Sequence, residues 1–183
     1  MQIGYETGDR VLADGHLFEV VELRRNRWGG QSARLASVDG TAAPRWLTPR
    51  LDRARSSVVD RRALHAMVHG FYARVRADES LGPIFESRLH ARWDEHLERM
   101  VCFWSSALLD ERSFVGEPMA KHRALADATP IHFVRWLEHF HAQLGETFAA
   151  AVGPSIARRA LMMARGLSTG MFGAPFDALV PCS

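Results

Sequence analysis

Between residues 10 and 48 apolar and polar residues alternate in short runs, and from residue 60 onward apolar residues recur every three or four positions. The chain therefore predicts a β part followed by a helical part. The β-friendly runs are R-V-L-A, L-F-E-V-V-E-L, S-A-R-L-A-S-V and R-W-L-T, parted by Asp14-Gly15, Gly29-Gly30 and Asp39-Gly40. Such dipeptides accept the positive φ of tight turns, which predicts successive hairpins and a small β-sheet or SH3-like barrel over residues 1–55. Past Asp60, suited to an N-cap, Leu64, Met67, Val68, Phe71, Tyr72 and Val75 draw one helical stripe. The run L-G-P-I-F at 81–85 predicts a break and a tight corner, because Pro83 cannot continue a helix.

The next stripe, Trp93, Leu97, Met100, Trp104, Ala107 and Leu108, predicts a helix ending near Asp110. His96 falls beside Trp93, Met100 and Phe103 on that helix, and a short link with Gly116 and Pro118 delivers His122 from another direction. Two imidazoles then approach one apolar space from opposite sides. Thr129-Pro130 opens a third helix lined by Phe133, Trp136, Leu137, Phe140, Leu144 and Phe148. Gly153-Pro154 starts a fourth, where Ile156, Ala160, Met163 and Leu167 repeat. Beyond Gly170 the pattern dissolves, so residues 173–183 are expected to be a mobile tail. The fold class is α+β overall, with an all-α C-terminal domain.

Length narrows this to one ordinary domain, or a domain with a small appendage, at 183 residues. An apolar share of 47% permits a real core, and a net charge of +2 with 24% charged residues does not select a nucleic-acid or membrane partner. Arg24, Arg25, Arg27, Arg34, Arg45, Arg50, Arg53 and Arg55, with Trp28 and Trp46 between them, are a mixture that can grip a nucleic-acid backbone. Nine basic residues stand against seven acidic ones over 1–57, however, which is an ordinary solvated surface, and nucleic acid is not the expected partner. The start lacks a basic segment followed by an apolar run, and no stretch approaches the roughly 20 apolar residues that span a bilayer. A cytoplasmic protein without a membrane partner is expected. Cys102 and Cys182 cannot make a disulfide framework; Cys102 is expected to fill space in its helix and Cys182 to be a loose thiol.

The helical part is rich in large rings, among them Phe71, Tyr72, Phe85, Trp93, Phe103, Trp104, Phe133, Trp136, Phe140 and Phe148. They suit walls around a flat, bulky guest, although plain core is the more frequent fate of such residues. The segments F-Y-A-R-V-R-A-D-E-S-L-G-P-I-F (71–85), W-D-E-H (93–96), F-W-S-S-A-L-L (103–109), G-E-P-M-A-K-H (116–122) and H-F-V-R-W-L-E-H-F (132–140) together decide for the guest. In order and spacing they resemble a group III truncated haemoglobin over residues 58–172, whereas residues 1–55 resemble no family. The resemblance implies a shortened globin, helices packed two over two around haem b.

The same resemblance implies His122 as proximal ligand of the iron, its other ring nitrogen donating to a carbonyl or carboxylate. It places Tyr72, His96 and Trp136 on the distal side, where a phenol O–H and an indole N–H can donate to a polar ligand. Phe85, Met100, Phe103 and Trp104 are expected to pave the pocket, and Arg99, Lys121 and Arg123 are candidates for the haem propionates. His65, His69, His90, His132, His139 and His141 are expected to be surface or structural. Two function classes stay open. One is a protein that binds dioxygen or another small ligand (nitric oxide, carbon monoxide, cyanide, peroxide). The other is a peroxidase-like or nitric-oxide-oxidising enzyme, which would need an external reductase because no G-x-G-x-x-G fingerprint is present. A sensor acting through the β module is a third reading.

Overall fold

In the computed structural model, residues 5–25, 31–47 and 55–180 are described. Arg27, Trp28, Gly29, Gly30, Arg50, Arg53 and Cys182 lie outside them. The first part is the small sheet of the two expected forms: β1 (Arg10–Ala13), β2 (His16–Arg25), β3 (Gln31–Ser37) and β4 (Arg45–Leu47) pair antiparallel in chain order. Asp14 (φ 50°) and Gly15 (φ 81°) turn β1 into β2 with both residues left-handed, the two-residue hairpin that the dipeptide predicts. Val11, Ala13, Phe18, Val20, Ala33, Leu35 and Val58 form a core of their own on one face. Arg24 and Arg34 both pair with Glu22, and Arg45 pairs with Asp14.

Among the described residues seven helices follow: α1 (Arg61–Ala77), α2 (Leu81–Leu89), α3 (Trp93–Leu109), α4 (Pro118–Arg123), α5 (Pro130–Thr147), α6 (Gly153–Phe172) and α7 (Phe176–Leu179). Asp60 caps α1: its Oδ1 accepts from the Ala63 N–H at 2.7 Å and its Oδ2 from the Tyr5 hydroxyl at 2.5 Å. The six residues of the α1 stripe are all buried. α1 packs on α3 and α5, and α5 on α6.

The sheet is tied to the helices by backbone. Leu12 and Val59 exchange two hydrogen bonds of 2.8 Å, while the Ser56 N–H donates to Thr147 O at 2.7 Å and Ser56 O accepts from Ala149 at 2.8 Å. Arg10 adds a cap, donating to the carbonyls of Leu109 (3.2 Å) and Asp110 (3.0 Å) at the C-terminus of α3. Leu12 and Leu17 pack against the helical core.

Four expectations are corrected. The L-G-P-I-F run begins a helix: Pro83 stands in the first turn of α2, where its missing N–H has no intrahelical partner to lose. The link before His122 is itself a short helix, α4, opened by Pro118. The segment expected to be a tail from 173 is ordered through α7, because Phe176 is buried and stacks on Phe133 at 6.0 Å while Asp177 pairs with Arg165. Cys102 is half-buried, not a core filler, with the Arg61 guanidinium 3.8 Å from its sulfur.

Candidate functional site

A cavity of about 500 Å³ opens between α1, α2, α3, α4, α5 and α6. Its walls include Tyr72, Phe85, His96, Met100, Phe103, Trp104, His122 and Trp136, so the proximal, distal and paving residues expected from the sequence all reach one space. Each element delivers its residue by simple periodicity. Tyr72 closes the α1 stripe; His96, Met100 and Phe103 follow one another at spacings of four and three along α3. On α6 the expected stripe divides: Ile156 and Ala160 join the core, while Met163 and Leu167 turn to the cavity. Phe85, Met100, Phe103 and Trp136 are apolar yet only partly buried, because part of their surface looks on to the void.

The rings are fixed against one another. Trp136 stacks on Phe140 at 5.1 Å and 7°, and Phe140 stacks on Trp104 at 5.1 Å and 18°. Phe71 stands edge-on to Trp136 at 5.0 Å. Tyr72 meets His96 edge-on at 4.7 Å and Phe85 at 5.8 Å. Trp93, behind these, spends its indole N–H on Glu86 at 2.7 Å.

The polar groups of the wall are left poised. Burial alone, with no hydrogen bond adding to it, pushes the Tyr72 phenol above its ordinary pKa, so it stays protonated. Burial first, then the positive charges of Arg99 and Lys121, lower His96 to about 4. The ring is neutral at pH 7, and its Nε2 is buried without a partner. Native proteins seldom leave such an atom unpaired, so it marks a position at which a guest molecule or water belongs. On α4, His122 Nδ1 lies 2.7 Å from the carbonyl oxygen of Pro118. A carbonyl only accepts, so Nδ1 carries the proton and Nε2 keeps a free lone pair.

Around the rim stand Arg88, Arg92, Arg99 and Lys121, opposed by Glu95 and Glu117. Arg99 and Lys121 are two of the three cations expected there. Arg123 is not in the wall and donates instead to Gly170 O at 3.0 Å. Arg88 and Arg92 were missed, because they stand on either side of the α2–α3 corner, where no helical period links them. Arg88 also donates to Ala124 O. Of the remaining histidines, His132 Nδ1 accepts from the Thr129 N–H at 3.0 Å at the start of α5, and His139 Nε2 lies 2.7 Å from Asp78.

An apolar slot with one free imidazole lone pair on α4, unspent donors opposite and cations at the mouth fits a flat, iron-bearing, dicarboxylate guest. The comparisons agree. A family model described as bacterial-like globin matches residues 58–165. The group 3 truncated hemoglobin of Campylobacter jejuni is 30% identical over 109 residues, covering 58% of this chain and 86% of that protein. A crystal structure of a group III truncated hemoglobin from Campylobacter jejuni superposes with a TM-score of 0.63 at 27% identity, covering 65% of this chain and 96% of the other. The 2/2 hemoglobin of Synechococcus sp. PCC 7002, solved with covalently attached heme, shares the fold with a TM-score of 0.52 at 21% identity, covering 62% and 92%. Among the described residues no helix is long and apolar enough to cross a membrane. Over residues 58–165 the chain belongs to the bacterial-like globins and, within them, to the group III truncated haemoglobins.

Proposed function

We propose that the cavity holds haem b with His122 as its proximal ligand, and that the protein binds dioxygen or another small polar ligand beneath Tyr72, His96 and Trp136. Globin membership carries the coarser statement, that this is a haem-binding, ligand-binding globin. Haem, when bound, supplies an iron with a coordination position open to a small ligand. The single observation that carries the finer reading is the bond from His122 Nδ1–H to Pro118 O, 2.7 Å long. It fixes the ring angle and leaves Nε2 as a neutral donor of the kind iron takes.

The distal roles follow from what each group has left to give. Tyr72 keeps an unspent O–H in a dry wall, where a hydrogen bond to a ligand bearing negative charge contributes roughly 1–3 kcal/mol. His96 is neutral, so it can donate through one nitrogen or accept, and brings no charge of its own. Trp136 is clamped between Phe71 and Phe140, which holds its indole in place without using its N–H. Phe85, Met100, Phe103 and Trp104 exclude water, and Arg88, Arg92, Arg99 and Lys121 suit the propionates. The peroxidase-like, nitric-oxide-oxidising and sensor alternatives draw no support from this geometry. Optical spectra of the purified protein, ferric, then reduced, then exposed to carbon monoxide, test the reading. A Soret band that shifts at each step is expected; haemin-supplied protein without one would overturn it.

A further inference from the structure

The face of α3 opposite the cavity carries a second cluster of ligating groups. His65 and His69, one turn apart on α1, stack their rings at 3.9 Å and 19°. Glu98 of α3 faces them, with His65 Nε2 and Glu98 Oε1 3.8 Å apart. One ligand atom from each of the three lies within 4.8 Å of the others. Glu98 stands two residues beyond His96, about 200° further around the helix, so the cluster is separate from the cavity, and none of its members lines the wall.

We propose that His65, His69 and Glu98 bind a divalent transition-metal ion of the zinc class. Two imidazoles and one carboxylate are a donor set that zinc takes with a fourth position left to water. Spacing of i and i+4 on one helix brings both rings to one point. A second, independent observation points to a ligand: His69 Nε2 is buried and has no hydrogen-bond partner among the described residues. Burial first, and the neighbouring His65 second, hold the His69 pKa below its ordinary value, which keeps its lone pair free at neutral pH. Asp94, one turn before Glu98 on α3, adds negative charge toward the same ring.

The donors stand slightly apart for a bound ion, since tetrahedral zinc at about 2.0–2.2 Å from each needs separations of about 3.3 Å. His65 and Glu98 have side chains 45% and 61% exposed, so rotation of these two closes the site without disturbing the core. A protonated His65 in a plain ion pair with Glu98 is the competing account, and it binds no metal.

Equilibrium dialysis of the purified chain against zinc chloride, with bound metal counted by mass spectrometry, separates the two. The wild type is expected to retain one zinc ion per chain. His65→Gln and Glu98→Gln, both at part-exposed positions, are each expected to weaken binding by at least about tenfold, with circular dichroism unchanged. His69→Asn is expected to abolish it. Wild type that retains no zinc, or variants that bind as the wild type does, would overturn the proposal.

Discussion

His122 Nδ1 sits 2.7 Å from the carbonyl oxygen of Pro118, one turn back on the six-residue helix α4. A histidine on so short a helix has few neighbours to hold its ring, and this bond supplies the missing constraint. Pro118 opens the helix with φ already set, so its carbonyl is fixed relative to the imidazole. The spacing P-M-A-K-H is therefore a device for aiming one nitrogen.

Tyr72→Phe removes a buried hydroxyl that is influenced by burial alone and by no hydrogen bond among the described residues. Stability is expected to change by less than about 0.5 kcal/mol. Dissociation of dioxygen is expected to accelerate by about 5–150-fold, the equivalent of roughly 1–3 kcal/mol, while carbon monoxide release changes little. Flash photolysis and stopped-flow mixing measure both. Equal acceleration for the two ligands would show a steric role for the ring instead.

The neutral state of His96 has a pH signature. Its folded pKa of about 4 lies below the ordinary 6.5, so between these values the unfolded chain binds the proton that the folded chain refuses. Stability is thus expected to fall as pH drops from about 6.5 to about 4, with no contribution above 6.5. His96→Gln should flatten that part of a melting-temperature profile. An unchanged slope would mean that the ring is not held neutral.

Asp78 acts below that window. Burial pushes its carboxyl up, but hydrogen bonds from Ser80, His139, the Leu81 N–H and Arg135 outweigh burial and hold the pKa well below the carboxylate range. A depressed carboxyl contributes stability above its unfolded pKa of about 3.9 and loses it as pH falls further. Asp78→Ala is expected to cost about 2–3 kcal/mol, because the junction of α1 and α2 loses one acceptor serving several donors. Urea unfolding at pH 7 measures it, and a loss under about 0.5 kcal/mol would contradict this role.

Gly82 allows α2 to begin directly against the end of α1: a Cβ there would stand 2.9 Å from the Arg76 carbonyl oxygen. Backbone cannot swing aside as a flexible side chain can. Gly82→Ala is expected to destabilise by about 1–3 kcal/mol in the same urea assay, and a neutral result would show that the α1–α2 corner relaxes.

Much of this was legible in the residues. The α1 stripe needs only a period of 3.6, and Leu64, Met67, Val68, Phe71, Tyr72 and Val75 are all buried as that period requires. The four β runs and Asp14-Gly15 carry their own turn chemistry, and the five linked motifs fixed the globin family. What escaped was non-local. Pro83 is a breaker in mid-helix and harmless in a first turn, and only the burial of Leu81 and Gly82 shows which applies. Phe176 has no periodic partner in its own segment, since its partner is Phe133 on α5. Arg88 and Arg92 belong to the cavity because a corner folds back, and the strap from Ser56 to Val59 is visible only once α5 and β1 stand beside it.

The absorbance spectrum of His122→Gly, loaded with haemin beside the wild type and then titrated with free imidazole, tests the central claim most directly. Loss or a large shift of the ferric Soret band, restored as imidazole fills the gap on α4, is the predicted result. A variant spectrum identical to the wild type, and indifferent to imidazole, would show that the side chain at position 122 does not hold the iron.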